Sequence, residues 1–273
     1  MVVISYGLTK SGSTLAFELC KSLLTEAGYS QRLLPETIRA PEESVNFAAM
    51  VTLPWLERVL NEVKDDEIIA IKTHTNLRPP ERMFIRQAIE NGKMRLHVNF
   101  RDPREIALSL LDAGKTAREN NWAAFAEFAT LSDAAAEVGR QLTKCRRWGA
   151  VKGALHLYYN DVAFDPEATV TRMAADFGFP ALDPEQIQRV VARVFKDTFT
   201  QKNKGIKDRY KQDLSPEEAD RLLSEIPDGR RFVNKVCKQR DYSWFRIIQP
   251  GKNRRAHGRL PGGNMVSKAG KTK

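Results

Sequence analysis

The segment Gly7-Leu8-Thr9-Lys10-Ser11-Gly12-Ser13-Thr14 constrains this chain more than any other. It follows an apolar, β-branched run, Val2-Val3-Ile4-Ser5-Tyr6, and precedes residues 15–24, where apolar side chains recur at helical spacing. A strand, a loop of small residues and a helix in that order make a cradle for an anion. The loop amides and the first helical turn converge on one point, and the helix dipole favours negative charge there.

The spacing approaches Gly-x4-Gly-Lys-[Ser/Thr], the pattern that holds nucleoside triphosphates. It departs at one residue: Ser13 follows Gly12 where a lysine is needed to reach the β- and γ-phosphates. Lys10 lies inside the loop instead. The expected ligand is therefore an anion other than the end of ATP or GTP.

The remaining pattern predicts what surrounds this loop. Strands are expected at 2–5, 68–71, 96–100 and 154–159, with helices at 15–27, 81–91, 104–111 and 165–178 following them. Further helices are expected at 56–63, in two pieces across 119–148 with Ser132 as the second N-cap, from Asp183-Pro184-Glu185 onward, and at 215–226 behind the capping box Ser215-Pro216-Glu217-Glu218. Residues 29–54 hold Pro35, Pro41 and Pro54 without periodicity and read as a long surface excursion. Strands alternating with helices predict one α/β domain, a central, mostly parallel sheet of four or five strands flanked by helices, over residues 1–250. In such sheets ligands sit at the carboxyl ends of the strands. Three polar clusters fall at those ends: the loop at 7–14, Lys72-Thr73-His74, and Arg101 onward.

Composition narrows the function. The formal net charge is +10. Much of it lies in residues 251–273, where Lys252, Arg254, Arg255, Arg259, Lys268, Lys271 and Lys273 have no acid among them, so this stretch is expected to be a mobile basic tail. The body is only mildly basic, which suits a polyanionic small molecule better than stable nucleic-acid binding. Cys20, Cys145 and Cys237 are widely spaced and form no Cys-x-x-Cys pair, so buried reduced thiols are expected rather than a disulfide framework or a zinc site. No apolar run spans a membrane and the first strand leaves no room for a leader, so a cytoplasmic protein is expected.

Lys10-Ser11-Gly12-Ser13-Thr14 resembles the Lys-Ser-Gly-Thr-Thr loop with which sulfotransferases grip the 5'-phosphosulfate of 3'-phosphoadenosine 5'-phosphosulfate (PAPS). Arg101-Asp-Pro-Arg-Glu-Ile-Ala-Leu-Ser109 resembles their Arg-x-Pro-x5-Ser stretch, which implies that Arg101 and Ser109 bind the 3'-phosphate. Lys72-Thr73-His74 is similar to the run that carries their catalytic base, implying that role for His74 and charge stabilisation by Lys72 and Lys10. Leu157-Tyr158-Tyr159-Asn160-Asp161 resembles their Tyr-Glu-Asp segment, with Tyr159 beside the adenine and Asn160 replacing the glutamate. Lys202-Asn203-Lys204-Gly205 resembles their Arg-Lys-Gly loop over the 3'-phosphate; Lys204 and Gly205 match, Asn203 replaces the arginine, and Lys202 is placed to supply the missing charge.

The resemblance spans residues 5 to 218 and implies a PAPS-dependent sulfotransferase. Such an enzyme carries out in-line sulfuryl transfer to the hydroxyl of a small molecule, glycan or lipid, without a required metal. One departure concerns the adenine: Leu15 stands where family members often have a tryptophan, leaving Trp55 or Phe17 as replacements. Two alternatives stay open on the residues. A nucleoside-triphosphate kinase or hydrolase would need a magnesium-holding aspartate, for which Asp102 is the near candidate, and the basic tail would suit a nucleic-acid-binding module.

Overall fold

The first strand, β1 (Val2–Gly7), is buried along its whole length. That suits a strand paired on both edges and covered on both faces. The computed structural model describes residues 1–197 and 205–245. The other strands are β2 (Phe47–Ala48), β3 (Ile69–Thr73), β4 (Met94–Phe100) and β5 (Leu155–Tyr158). Among the described residues these five form one sheet in the order β2-β3-β1-β4-β5, and every neighbouring pair is parallel. Register matters for the site: Tyr6 of β1 lies opposite Thr73 of β3, and Gly7 lies opposite Asn99 of β4. The three strands therefore stop at one edge.

The helices are α1 (Ser13–Glu26), α2 (Leu53–Glu62), α3 (Pro79–Glu90), α4 (Pro103–Glu119), α5 (Leu131–Gly149), α6 (Tyr159–Phe164), α7 (Pro166–Phe177) and α8 (Pro184–Asp197). Beyond residue 205 come α9 (Tyr210–Asp213), α10 (Pro216–Glu225) and α11 (Gly229–Phe232), then a π-helical turn at Val233–Lys238 and a 3-10 turn at Tyr242–Phe245.

Strand alternation divides the core into two clusters. Ile4 and Tyr6 join Ile71, Leu96 and Val98 under Ile106 and Leu110 of α4 and Val138, Leu142 and Trp148 of α5. Val3 joins Ala70 and Leu157 on the opposite face, beneath Leu19 and Leu23 of α1, Val170 and Met173 of α7 and Val190 of α8. Tyr6 and Trp148 stack with ring centroids 5.0 Å apart. Each such fully buried side chain contributes about 1.5–3 kcal/mol. Cys20, Cys145 and Cys237 are free and buried.

Most expected elements form, with four corrections. The excursion at 29–54 contains β2, which pairs with Lys72 and Thr73 and supplies the fifth strand. It was hidden because two residues carry no periodicity. The fourth expected strand ends at Tyr158, and Tyr159 begins α6. The helix starting at 103 runs on to Glu119, so the first expected piece of 119–148 is not a helix of its own. Asn121 (φ 55°) and Phe125 (φ 72°) then turn the chain through left-handed conformations. Finally, Thr130 rather than Ser132 caps α5, because Thr130 Oγ1 accepts from the Asp133 amide while Asp133 accepts from the Thr130 amide in a closed box.

No helix among the described residues is long and apolar enough to cross a membrane. The basic tail, Lys202 and Lys204 lie outside the described residues.

Candidate active site

Because β1, β3 and β4 end together, the loops after Gly7, Thr73 and Phe100 rise from the same edge of the sheet. The loop after β1 is wound by two left-handed residues, Lys10 (φ 67°) and Gly12 (φ 79°). Between them Ser11 is fully buried, its hydroxyl 2.6 Å from Leu8 O and 2.6 Å from Asn99 Oδ1. Its side chain therefore shapes the loop and ties it to β4. Gly12 is dictated twice over. Its φ suits glycine, and a Cβ there would lie 2.5 Å from Cδ2 of Tyr159. A Cβ on Gly7 would collide with that of Ser13, so strand end and helix start are in close contact.

Helix α1 starts with no side-chain cap and no acid in its first turn. By contrast Thr52, Asp102, Thr130, Asp165 and Ser215 cap α2, α4, α5, α7 and α10. The first intrahelical bond runs from the Ala16 amide to Gly12 O. The amides ahead of it have no acceptor within the helix, and the dipole leaves positive potential at this point.

Two lysines add to that potential. Lys72, near the end of β3, donates from Nζ to Thr14 Oγ1 at 2.8 Å. Lys10 Nζ lies 5.2 Å from the centroid of the Phe125 ring. Burial lowers the pKa of both ammonium groups, and for Lys10 the neighbouring Arg101 lowers it further. Desolvated cations of this kind interact strongly with a neighbouring anion.

His74 follows β3 directly. Its Nδ1 lies 2.6 Å from Gly7 O. A carbonyl oxygen only accepts, so Nδ1 carries the proton and the basic lone pair sits on Nε2. Burial, aided by the charges of Lys72 and Lys144, lowers its pKa to about 4 against the contribution of that hydrogen bond, so the ring is neutral at physiological pH. The surrounding loop is fixed from α5 and from β2. Trp148 Nε1 donates to Thr75 O at 2.8 Å, Arg147 donates to Asn76 Oδ1 at 2.8 Å, and Thr73 Oγ1 donates to Ala48 O at 2.8 Å. The Phe47 ring of β2 lies 5.7 Å from that of His74.

Arg101 leaves the end of β4 with little exposure. Its guanidinium lies 3.9 Å from the Tyr159 ring centroid, donates from Nη2 to Glu105 Oε2 at 2.7 Å, and reaches Lys10 O from Nη1 at 3.3 Å. Its Nε is buried without a partner. Glu105 is bound at both oxygens, since Oε1 accepts the Tyr210 amide at 2.8 Å. Around this carboxylate Arg104 stacks on the Tyr210 ring at 3.5 Å and pairs with Asp102, while Arg209 pairs with Asp112 and Asp213. A cavity of about 430 Å³ lies beside this cluster, lined in part by Arg104, Tyr158, Asn160, Lys207, Tyr210 and Arg240.

The structure thus gathers Lys10, Ser11, Gly12, Ser13, Thr14, Lys72, His74, Arg101 and Tyr159 around one loop. Ser109 is buried on α4, two turns beyond Arg101. Gly205 is left-handed (φ 62°) and begins the second described segment. Neither replacement for the missing tryptophan is displayed as a stacking platform. Phe17 is buried in the core beneath β1, and Trp55 donates to Ile38 O at 2.7 Å. Sequence reasoning missed Glu105, Tyr210 and Phe47. Glu105 follows Arg101 by four residues, a spacing at which opposite charges often pair.

No protein-family model matches the chain, and no curated protein matches it by sequence. Similarity appears in solved structures. A retinol dehydratase in complex with retinol and PAP aligns over 84% of this chain and 80% of its own, at 17% identity and a TM-score of 0.51. Retinol dehydratase with androsterone and inactive cofactor PAP aligns over the same shares, at 18% identity and a TM-score of 0.50. A mouse sulfotransferase, SULT7A1, complexed with PAP covers 89% of this chain and 87% of its own at 13% identity, with a TM-score of 0.46, too low to carry weight. What this chain shares with the first two is the fold.

Proposed function

We propose that the protein is a PAPS-dependent sulfotransferase acting on the hydroxyl of a small molecule. The observation that carries this is the convergence on one uncapped helix start of Lys72, through Thr14, and of a neutral His74, through Gly7 O. Retinol dehydratase, which shares the fold, holds PAP, the product nucleotide of that reaction.

The residues fit such a ligand. Lys10, Lys72 and the amides that open α1 suit a phosphosulfate, and Arg101, with an unpartnered buried Nε, suits the 3'-phosphate. Ser13 in place of a P-loop lysine leaves the triphosphate reading without its γ-phosphate contact. When bound, PAPS supplies an activated sulfuryl group.

His74 takes the proton of the acceptor hydroxyl at Nε2, and Gly7 O stabilises the imidazolium through Nδ1–H. Lys72 and Lys10 place positive charge where negative charge develops in the transition state, and they do so from a desolvated site where the interaction is strong. Thr14 keeps Lys72 in place, and Trp148, through Thr75, holds the histidine loop.

His74→Gln tests this assignment. Transfer of labelled sulfur from PAPS to a panel of alcohols and phenols should fall by about 10²–10⁴-fold, with PAP affinity near that of the wild type. Wild-type turnover should hold steady from pH 7 down to about 5 and decline only near the His74 pKa of about 4, since the neutral ring is the active form. A variant with undiminished turnover, or an acid-side decline that the variant retains unchanged, would exclude His74 as the base.

A further inference from the structure

Glu105 is 3% exposed and sits four residues beyond Arg101, on the first turn of α4. A carboxylate so placed would ordinarily weaken an anion site, because it neutralises the arginine that should meet the phosphate. Its geometry argues for another role. Oε2 takes one terminal nitrogen of Arg101 and Oε1 takes the backbone amide of Tyr210, more than a hundred residues later in the chain.

The Arg101 plane is thereby fixed at three places. Glu105 lies at Nη2, the loop carbonyl of Lys10 lies near Nη1, and the Tyr159 ring lies against its face. The nitrogen left over, Nε, is buried and unpartnered. A buried donor without an acceptor is costly, and an oxygen of a bound anion would relieve that cost.

The second arm of Glu105 holds the segment that follows Gly205. Arg209 pairs with Asp112 of α4, and Arg104 stacks on Tyr210, so three α4 side chains grip residues 209–210. One carboxylate therefore connects the arginine at the end of β4 to the start of α9.

We infer that Glu105 is a positioning residue that orients Arg101 toward the 3'-phosphate and ties that arginine to the 209–213 segment, so that recognition of the 3'-phosphate and the packing of this segment on α4 form one unit. This rests on the reading of Arg101 as the 3'-phosphate ligand.

Glu105→Gln separates the two arms. The amide oxygen can still accept from Tyr210, whereas the amide nitrogen cannot accept from Arg101. Calorimetric titration of wild type and variant with adenosine 3',5'-bisphosphate and with adenosine 5'-monophosphate reads the result. The wild type should prefer the bisphosphate. In the variant that preference should shrink about tenfold, the loss of one charge-assisted hydrogen bond, through the bisphosphate alone.

An unchanged or enlarged preference would show that Glu105 only packs or competes for Arg101, and would overturn the inference while leaving the 3'-phosphate reading intact. A wild type without any preference would overturn that reading and the inference with it. Amide exchange in the wild type gives a test that does not depend on the variant folding. The bisphosphate should slow exchange at Tyr210 and the monophosphate should not; equal effects would again overturn the coupling.

Discussion

The two ends of the candidate site are built in different ways. The end proposed for the phosphosulfate is assembled from the termini of adjacent parallel strands: Gly7, Thr73 and the residues that directly follow them lie within a few ångströms because the sheet register puts them there. Its key contacts are short-range: His74 to Gly7 joins the ends of two paired strands, and Lys72 to Thr14 joins β3 to the first turn of the helix that follows β1. The end proposed for the 3'-phosphate is assembled across the chain. Arg101 depends on Glu105, and Glu105 in turn holds the amide of Tyr210. The first end inherits its rigidity from the core. The second depends on a clasp of ion pairs and one buried carboxylate, with Lys202 and Lys204 outside the described residues.

This contrast can be broken at the first end most severely. Lys72→Met keeps much of the side-chain volume and removes the charge, so turnover should drop by about 10²–10³-fold, measured as initial rates of sulfur transfer at saturating PAPS. The preference for a 3'-phosphate should survive, because Arg101 and Glu105 make no hydrogen bond to Lys72. Loss of that preference would mean that the two ends are not separately built.

A smaller effect is expected from Gly12→Ala. The left-handed backbone alone costs about 1–2 kcal/mol for a residue with a Cβ, and the added methyl meets the Tyr159 ring. Urea denaturation should register that loss. Because Tyr159 also lies against Arg101, both nucleotide ends should be disturbed, with weaker binding of adenosine 5'-monophosphate as well as of the bisphosphate. Unaltered stability would mean that the loop has freedom that its close contacts deny.

The same contrast explains what could be read from the sequence. The loop at 7–14, Lys72-Thr73-His74 and Arg101 were legible because each follows an apolar run, and a run of Val, Ile and Leu announces a buried parallel strand whose carboxyl end holds the ligand. The helix starts at 165 and at Ser215 were legible because capping chemistry is local. β2 was not, since two residues carry no period and their pairing with Lys72 and Thr73 is set by the fold. Nor could the Glu105 bridge be read, because its partner is a backbone amide more than a hundred residues away, and an amide has no sequence signature. Ser132 misled because it is a good capping residue in isolation; the reciprocal bond to Asp133 favours Thr130, two residues earlier. Phe17 and Trp55 were reasonable aromatic candidates for the adenine by composition, yet core packing and a bond to Ile38 occupy them.

The central claim is that an anion loop lacking the P-loop lysine serves a nucleotide with a 3'-phosphate and a short 5' end. Calorimetric titration of the wild type with adenosine 3',5'-bisphosphate and with ATP, at the same ionic strength, addresses it most directly. The bisphosphate should bind at least about tenfold more tightly, a difference of about 1.4 kcal/mol; binding of ATP as tight as that of the bisphosphate, or tighter, would contradict the account.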